Sequence, residues 1–337
     1  MVNAMDMDTR IGQLVMAPLY AGNDPASLAS LIADRHVGSV LIIGKWTGGV
    51  ASVRAAADQL QGYAPGDNRL IISTDQEGGW VQHLIGPGFD RMPTAVDQGT
   101  MSTDQLRQSA SVWGSQLAAA GINVDLAPVL GTVVANRAAN APIGALYRDF
   151  GLDAAGNAAQ GTAFVQGMAD AGVQSAIKHY PGLGAVTGNT DFTADGILDT
   201  TTTLDGTEIK AFGTTIDQAD PAMVMMALAT YQAIDPNDPA VFSSIIIDGH
   251  LRGDLGYDGV VISDSMSAAA VSAYDTTQLG VKLVEAGGDL ACIGDTNYVA
   301  PILDGLSTRA ASDPAFANEV TQSAIRVMTL KIKMGLA

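Results

Sequence analysis

Three short segments set acidic and basic side chains directly behind apolar runs. They are Thr74-Asp75-Gln76-Glu77-Gly78-Gly79, Lys178-His179-Tyr180-Pro181-Gly182 and Ser263-Asp264-Ser265-Met266. A carboxylate at the end of a buried run, as Asp264 is after Val260-Val261-Ile262, costs desolvation free energy unless it is hydrogen-bonded or used in chemistry. Carboxylates in such places act as nucleophiles or as general acids and bases. A lysine there donates to substrate or, as a free amine, forms a Schiff base. Each segment alone is equally an ordinary strand end with a satisfied polar group; three converging on one rim point to a reaction centre.

The elements that would bring them together recur along the chain. Apolar runs occupy 12–19, 38–44, 70–74, 122–128, 174–178, 222–227, 259–263 and 289–293. Near-continuous runs, rather than clean alternation, are the pattern of parallel strands buried on both faces. Helical patterns lie between them. Leu106, Ala110, Trp113 and Leu117 share one face behind a Ser102/Gln105 capping box, with Gly121 at the end. The last helix opens at Asp313-Pro314, sets Ile325, Met328 and Ile332 on one face and closes at Gly335. Eight strand–helix units predict an α/β chain forming a single (β/α)8 TIM-type barrel over residues 1–337, with an open doubly wound sheet as the competing architecture. Barrel chemistry sits at the C-terminal strand ends, where all three segments fall. The stretch from Gly182 to about Gly206, rich in Gly, Thr and Asp, is either a lid or an inert insertion.

Composition excludes several partners. The chain has 337 residues, 47% of them hydrophobic, and a formal charge of −18. That surface repels nucleic acid and anionic membrane. No run reaches the ~18 apolar residues of a membrane-spanning segment. The opening Met-Val-Asn-Ala-Met-Asp has no leader pattern. Cys292 is the only cysteine, so no internal disulfide is expected and a buried, packed thiol is. The four histidines lack metal-ligand spacing, Gly38 to Gly44-Lys45 departs from phosphate-loop spacing, and no Gly-x-Ser-x-Gly elbow occurs. No metal and no cofactor are expected, and the chain is expected to be a monomer. An extracytoplasmic or envelope location with a leader removed is expected, with a cytoplasmic one as the alternative.

In order and spacing the motifs resemble glycoside hydrolase family 3, and within it the β-N-acetylglucosaminidase branch typified by peptidoglycan-recycling enzymes. The carriers are Lys178-His179-Tyr180-Pro181-Gly182-x-Gly184, Gly259-Val260-Val261-Ile262-Ser263-Asp264-Ser265-Met266, Asp75-Gln76-Glu77-Gly78-Gly79 and Asn123-Val124-Asp125-Leu126-Ala127-Pro128-Val129. The likeness implies a retaining, exo-acting glycosidase on a small carbohydrate, a β-N-acetylglucosaminide. Asp264 would be the nucleophile. Asp75, Arg148, Lys178, His179 and Met266 would bind the sugar.

Where the branch usually carries Pro-Gly-His-Gly, this chain has Leu183. Asn189-Thr190-Asp191 stands at the Asp-Ser-His that supplies the acid/base, while Trp80 and Leu228 replace a common Arg and His. Asp191 is therefore the expected acid/base, reaching Asp264 when its loop closes, with an exposed turn residue as the bland alternative and Asp195 and Glu77 in reserve. Other readings are a β-glucosidase, a Schiff-base aldolase using Lys178, and a degenerate sugar-binding module.

Overall fold

The computed structural model describes residues 2–134 and 136–337. Its centre is a ring of eight parallel strands: β1 (Val15–Tyr20), β2 (Ser39–Ile43), β3 (Ile71–Thr74), β4 (Val124–Asp125), β5 (Gln174–Tyr180), β6 (Met223–Met226), β7 (Val260–Ser263) and β8 (Ala291–Cys292). Neighbours pair in chain order from β1 to β7, and β1 also pairs with β8. The parallel bridge Ile262–Leu290, with Ser263 N–H donating to Leu290 O at 2.9 Å, closes the ring. All eight expected strands are present, and the (β/α)8 barrel is the architecture.

Outside the ring lie α1 (Met7–Gln13), α2 (Ala29–Ala33), α3 (Gly49–Gln61), α4 (Thr103–Ala119), α5 (Ala154–Asp170), α6 (Thr207–Ala219), α7 (Thr276–Glu285), α8 (Val299–Ser312) and α9 (Pro314–Lys333). A π-helical turn, Ile245–Asp254, takes the helix place between β6 and β7. The capping box in front of α4 forms as its sequence requires, and Leu106, Ala110, Trp113 and Leu117 are all buried.

The strands divide their side chains between two cores. Met16, Leu41, Ile71, Val124, Ala176, Met223, Met225, Val260 and Ile262 fill the barrel interior, with Val327, Leu330 and Leu336 from the C-terminal segment packed against them. The alternate positions, such as Val15, Val40, Ile42, Ile72, Val224 and Val261, pack under the helices. This two-sided burial is why the runs read as continuous rather than alternating.

Several details differ from the sequence reading. Gly12 and Gln13 end α1, because Asp6 caps that helix by accepting from Thr9 N–H, and β1 starts at Val15. Of run 122–128 only Val124–Asp125 is regular strand, and Pro128 has no N–H for a ladder. On α9, Ile325 and Ile332 are exposed; the buried stripe is Phe316, Val320, Val327, Met328 and Lys331. The true stripe steps by four and three from Phe316, one row round from the one read.

Candidate active site

A cavity of about 530 Å³ opens at the C-terminal mouth of the barrel, lined by Asp75, His83, Arg148, Lys178, His179, Asp191 and Asp264 among others. Asp264 sits one residue past β7, and its backbone N–H donates to Met226 O at the end of β6. Lys178 and His179 come from the end of β5. There the register with β6 slips, so that Lys178 pairs with Met225 and Tyr180 with Met226, leaving His179 as an extra residue. The bulge turns two consecutive side chains into one cleft.

An ion cluster holds the floor. Lys178 Nζ lies 2.5 Å from Asp75 Oδ1 and 2.6 Å from Glu77 Oε1. Arg148 grips Glu77 with two parallel bonds, Nε at 2.9 Å and Nη2 at 2.8 Å, and donates from Nη1 to Pro142 O at 2.7 Å. The turn before Arg148 is set by Arg137, which binds both oxygens of buried Asp149, and by Tyr147 in the left-handed region at φ 56°. Burial alone would raise Glu77, but Arg148 and Lys178 reverse this and hold it well below the usual carboxylate range. Burial alone would lower Lys178, but Asp75 and Glu77 hold it above its ordinary value. A clamped ammonium has no lone pair for a carbonyl, so Lys178 is not a Schiff-base amine. Glu77, fully engaged, is not a free acid either.

Beneath the cluster, Asp125 accepts from Gln76 N–H at 2.9 Å while its second oxygen has no partner among the described residues. Burial pushes Asp125 up to about 8. It is a neutral acid at neutral pH, so only two negative charges face the two cations. Burial, then Arg148 and Lys178, drive His179 well below its ordinary value. It is a neutral imidazole, with Nε2 3.9 Å from Asp264 Oδ2, and makes no ion pair.

Asp191 arrives on the long loop. Between Gly182 and Gly206 there is no helix; one two-residue strand, Leu198–Asp199, pairs with Thr230–Tyr231. Asn140 staples the loop's root, donating to Leu183 O and Val186 O at 2.7 Å each. Gly184 lies so close to the neighbouring backbone that a Cβ would stand 1.6 Å from Thr132 O. The tip closes on itself through Thr187 and Gly188 N–H to Gly196 O. It docks across the mouth by Ala269 N–H to Asp191 O at 3.2 Å and Ala270 N–H to Thr190 O at 3.0 Å. The loop is therefore seated, and Asp191 and Asp264 line one cavity. Desolvation raises Asp191, with Arg148 opposing and Asp75 adding to it. Desolvation, then the charge of Asp191, pushes Asp264 up to about 7, against the Ser265 N–H at 2.8 Å and the Lys178 and Arg148 charges. The charge of Asp191 is thus one of the causes that keep a proton on Asp264 up to about 7.

Of the residues expected to bind sugar, Asp75, Arg148, Lys178 and His179 line the cleft. Met266 does not: it is fully buried, its N–H given to Cys292 O at 2.8 Å, and it packs into the outer core. It lies in the turn that follows β7, which carries its side chain away from the barrel mouth and under the helices. Asp195, at the exposed loop tip, and Glu77 are not among the cleft-lining residues. Leu228 is buried and Trp80 stands 73% exposed on the turn between Gln76–Gly78 and Val81–Gln82. Sequence reasoning missed Tyr20, His83 and Phe192 in the cleft wall and Asn140 under the loop. Phe192 carried a signal: a large apolar residue directly after Asp191 in an otherwise polar stretch.

A carboxylate at a barrel strand end, a second carboxyl above it and an ion-paired polar floor define an enzyme that cleaves glycosidic bonds. The glycosyl hydrolase family 3 N-terminal domain model matches residues 6–330, and the chain belongs to that family. It is 31% identical over 319 residues to the beta-hexosaminidase LpqI of Mycobacterium tuberculosis, covering 91% of this chain and 79% of that one. The crystal structure of a beta-N-acetylhexosaminidase from Beutenbergia cavernae superposes with a TM-score of 0.94 at 42% identity, covering 97% of this chain and 98% of the other. A Cellulomonas fimi protein named beta-N-acetylglucosaminidase/beta-glucosidase is 30% identical, over 98% of this chain and 58% of its own.

Proposed function

We propose that this chain is a retaining, exo-acting β-N-acetylglucosaminidase in which Asp264 is the nucleophile and Asp191 the acid/base. The carrying observation is the pair itself: two carboxyls in one cavity, one fixed at a strand end and the other on a docked loop, the second raising the first. Asp264 attacks the anomeric carbon as the bond to the leaving oxygen breaks, and Asp191 gives that oxygen its proton. A water then attacks the glycosyl-enzyme, its proton passes to Asp191, and Asp264 is released. Asp75 offers acceptors, and the protonated Lys178 and Arg148 donors, to the hydroxyls of a neutral pyranose. His179, uncharged beside Asp264, leaves the nucleophile's charge unneutralised.

Terminal β-linked N-acetylglucosamine, from cell-wall fragments or related glycans, is the substrate class supported by the names of the relatives. On this reading the chain acts as a monomer. Asp191→Asn is the test. Turnover of a poor leaving group should fall by about 10²–10⁴, the usual contribution of general acid–base catalysis, with a smaller loss in the first step on an activated aryl glycoside. Wild-type turnover of the poor leaving group by this variant would sink the Asp191 assignment. A 2-fluoro-glycoside that failed to label Asp264 would sink the nucleophile. The Cellulomonas relative's double name keeps a β-glucosidase in view, and rates on paired nitrophenyl N-acetylglucosaminide and glucoside decide between them.

A further inference from the structure

We infer that Phe192, with Tyr20, forms the subsite for the leaving unit and that this unit is itself a sugar ring, stacked by its apolar C–H face. The inference rests on the reading of Asp191 and Asp264 as the catalytic pair. An acid that protonates a leaving oxygen sits at the junction between the retained and departing units. The side chain following it on the same docked loop therefore borders the departing one. Phe192 is that residue, and it lines the cleft although it is 81% exposed. A phenyl ring has no polar atom to satisfy in water, so nothing but an apolar surface improves its position. A pyranose offers such a surface on the face that carries its axial C–H bonds.

The ring's carrier is held fast. Phe192 and Thr193 both donate backbone N–H to Asn189 O at 3.0 Å, and the Asp191 and Thr190 carbonyls accept from Ala269 and Ala270. Tyr20, on β1, supplies the second aromatic wall. It is 42% exposed, lines the same cleft, and has its hydroxyl tied to Gly294 O at 2.8 Å. Two exposed rings, each fixed through hydrogen bonds that leave the aromatic face free, flank the position the acid assigns to the leaving unit.

The two-step mechanism makes this separable from catalysis, because the leaving unit is present only while the glycosyl-enzyme forms. Phe192→Ala should lower kcat/KM for a β-linked N-acetylglucosamine disaccharide about tenfold, the size of an aromatic contact with its buried area. It should leave N-acetylglucosaminyl fluoride, which has no leaving ring, unchanged. Phe192→Trp should restore the disaccharide rate. Transfer to a sugar acceptor is the converse test. There the acceptor hydroxyl attacks the anomeric carbon, its proton goes to Asp191 and the bond to Asp264 breaks. The ratio of transfer to hydrolysis should fall in Phe192→Ala. Equal losses on disaccharide and fluoride would mean that the ring only holds the loop. No loss on either would mean it is an idle surface residue. Both results overturn the inference while leaving the catalytic pair intact. A wild-type enzyme inert on both substrates would instead sink the glycosidase reading, and this inference with it.

Discussion

At the end of the barrel opposite the cleft, Lys331 of α9 is fully buried, and its ammonium meets only neutral oxygens, Gln13 Oε1 at 2.8 Å and Asn68 Oδ1 at 2.9 Å. Burial pulls it from the ordinary 10.5 down to about 7. The sign follows from linkage. Between those values the unfolded chain binds more protons than the folded one, so stability rises with pH across that window and the full cost is present below about 7. At about 1.4 kcal/mol per pH unit the gap corresponds to about 5 kcal/mol. The two amide oxygens favour the charged form and reduce this, to at most about 2 kcal/mol if each contributes the roughly 1.5–3 kcal/mol of a hydrogen bond to a charged group. Lys331→Met removes the ionisable group at similar volume. Urea unfolding of both proteins from pH 6 to pH 10 isolates it, because every other titration is common to the two. The variant should be the more stable at pH 6, and the advantage should vanish towards pH 10, where Gln13 and Asn68 lose a neutral donor. A difference between the two proteins that stays flat with pH refutes the reasoning.

Two further outcomes follow from the cleft. Glu77→Gln takes from Lys178 and Arg148 the carboxylate that they share, and breaking a buried pair costs about 3–5 kcal/mol. The urea midpoint should fall and kcat/KM with it, whereas an unchanged midpoint would mean the cluster is effectively solvated. The rising limb of the pH profile of kcat/KM, set by Asp264 near 7, should move to lower pH in Asp191→Asn, because the repelling charge above the nucleophile is gone. The measurement uses a substrate with a good leaving group, and an unmoved limb would mean that the two carboxyls do not sense each other.

The sequence made the barrel legible because burial on both faces forces long apolar runs, and runs such as Ser39–Ile43 and Val260–Ser263 have no other use. Asp264, Asp75 and Lys178 were legible through the same runs: a charge behind one of them is ambiguous alone, but three fall on one rim. What a residue's neighbours do to it was not legible. Glu77 reads as a spare acid until Arg148, 71 positions away in sequence, is seen to take both its oxygens. Met266 reads as part of a motif until the turn after β7 is seen to bury it under the helices. Asn140 and Phe192 lie in irregular backbone, where no periodicity announces orientation. The stripe on α9 was misplaced because Lys331, a polar letter, occupies one of its buried positions.

The docking of the long loop has a consequence for how this site can change over generations. Both contacts that seat its tip, from Ala269 and Ala270, end on main-chain carbonyls of Asp191 and Thr190. Such contacts are blind to the side chains they carry. The carrier can keep its place while the residue it presents is exchanged. If Asp191 is the acid/base proposed above, drift at this position would alter the proton donor without first having to rebuild the arm that delivers it.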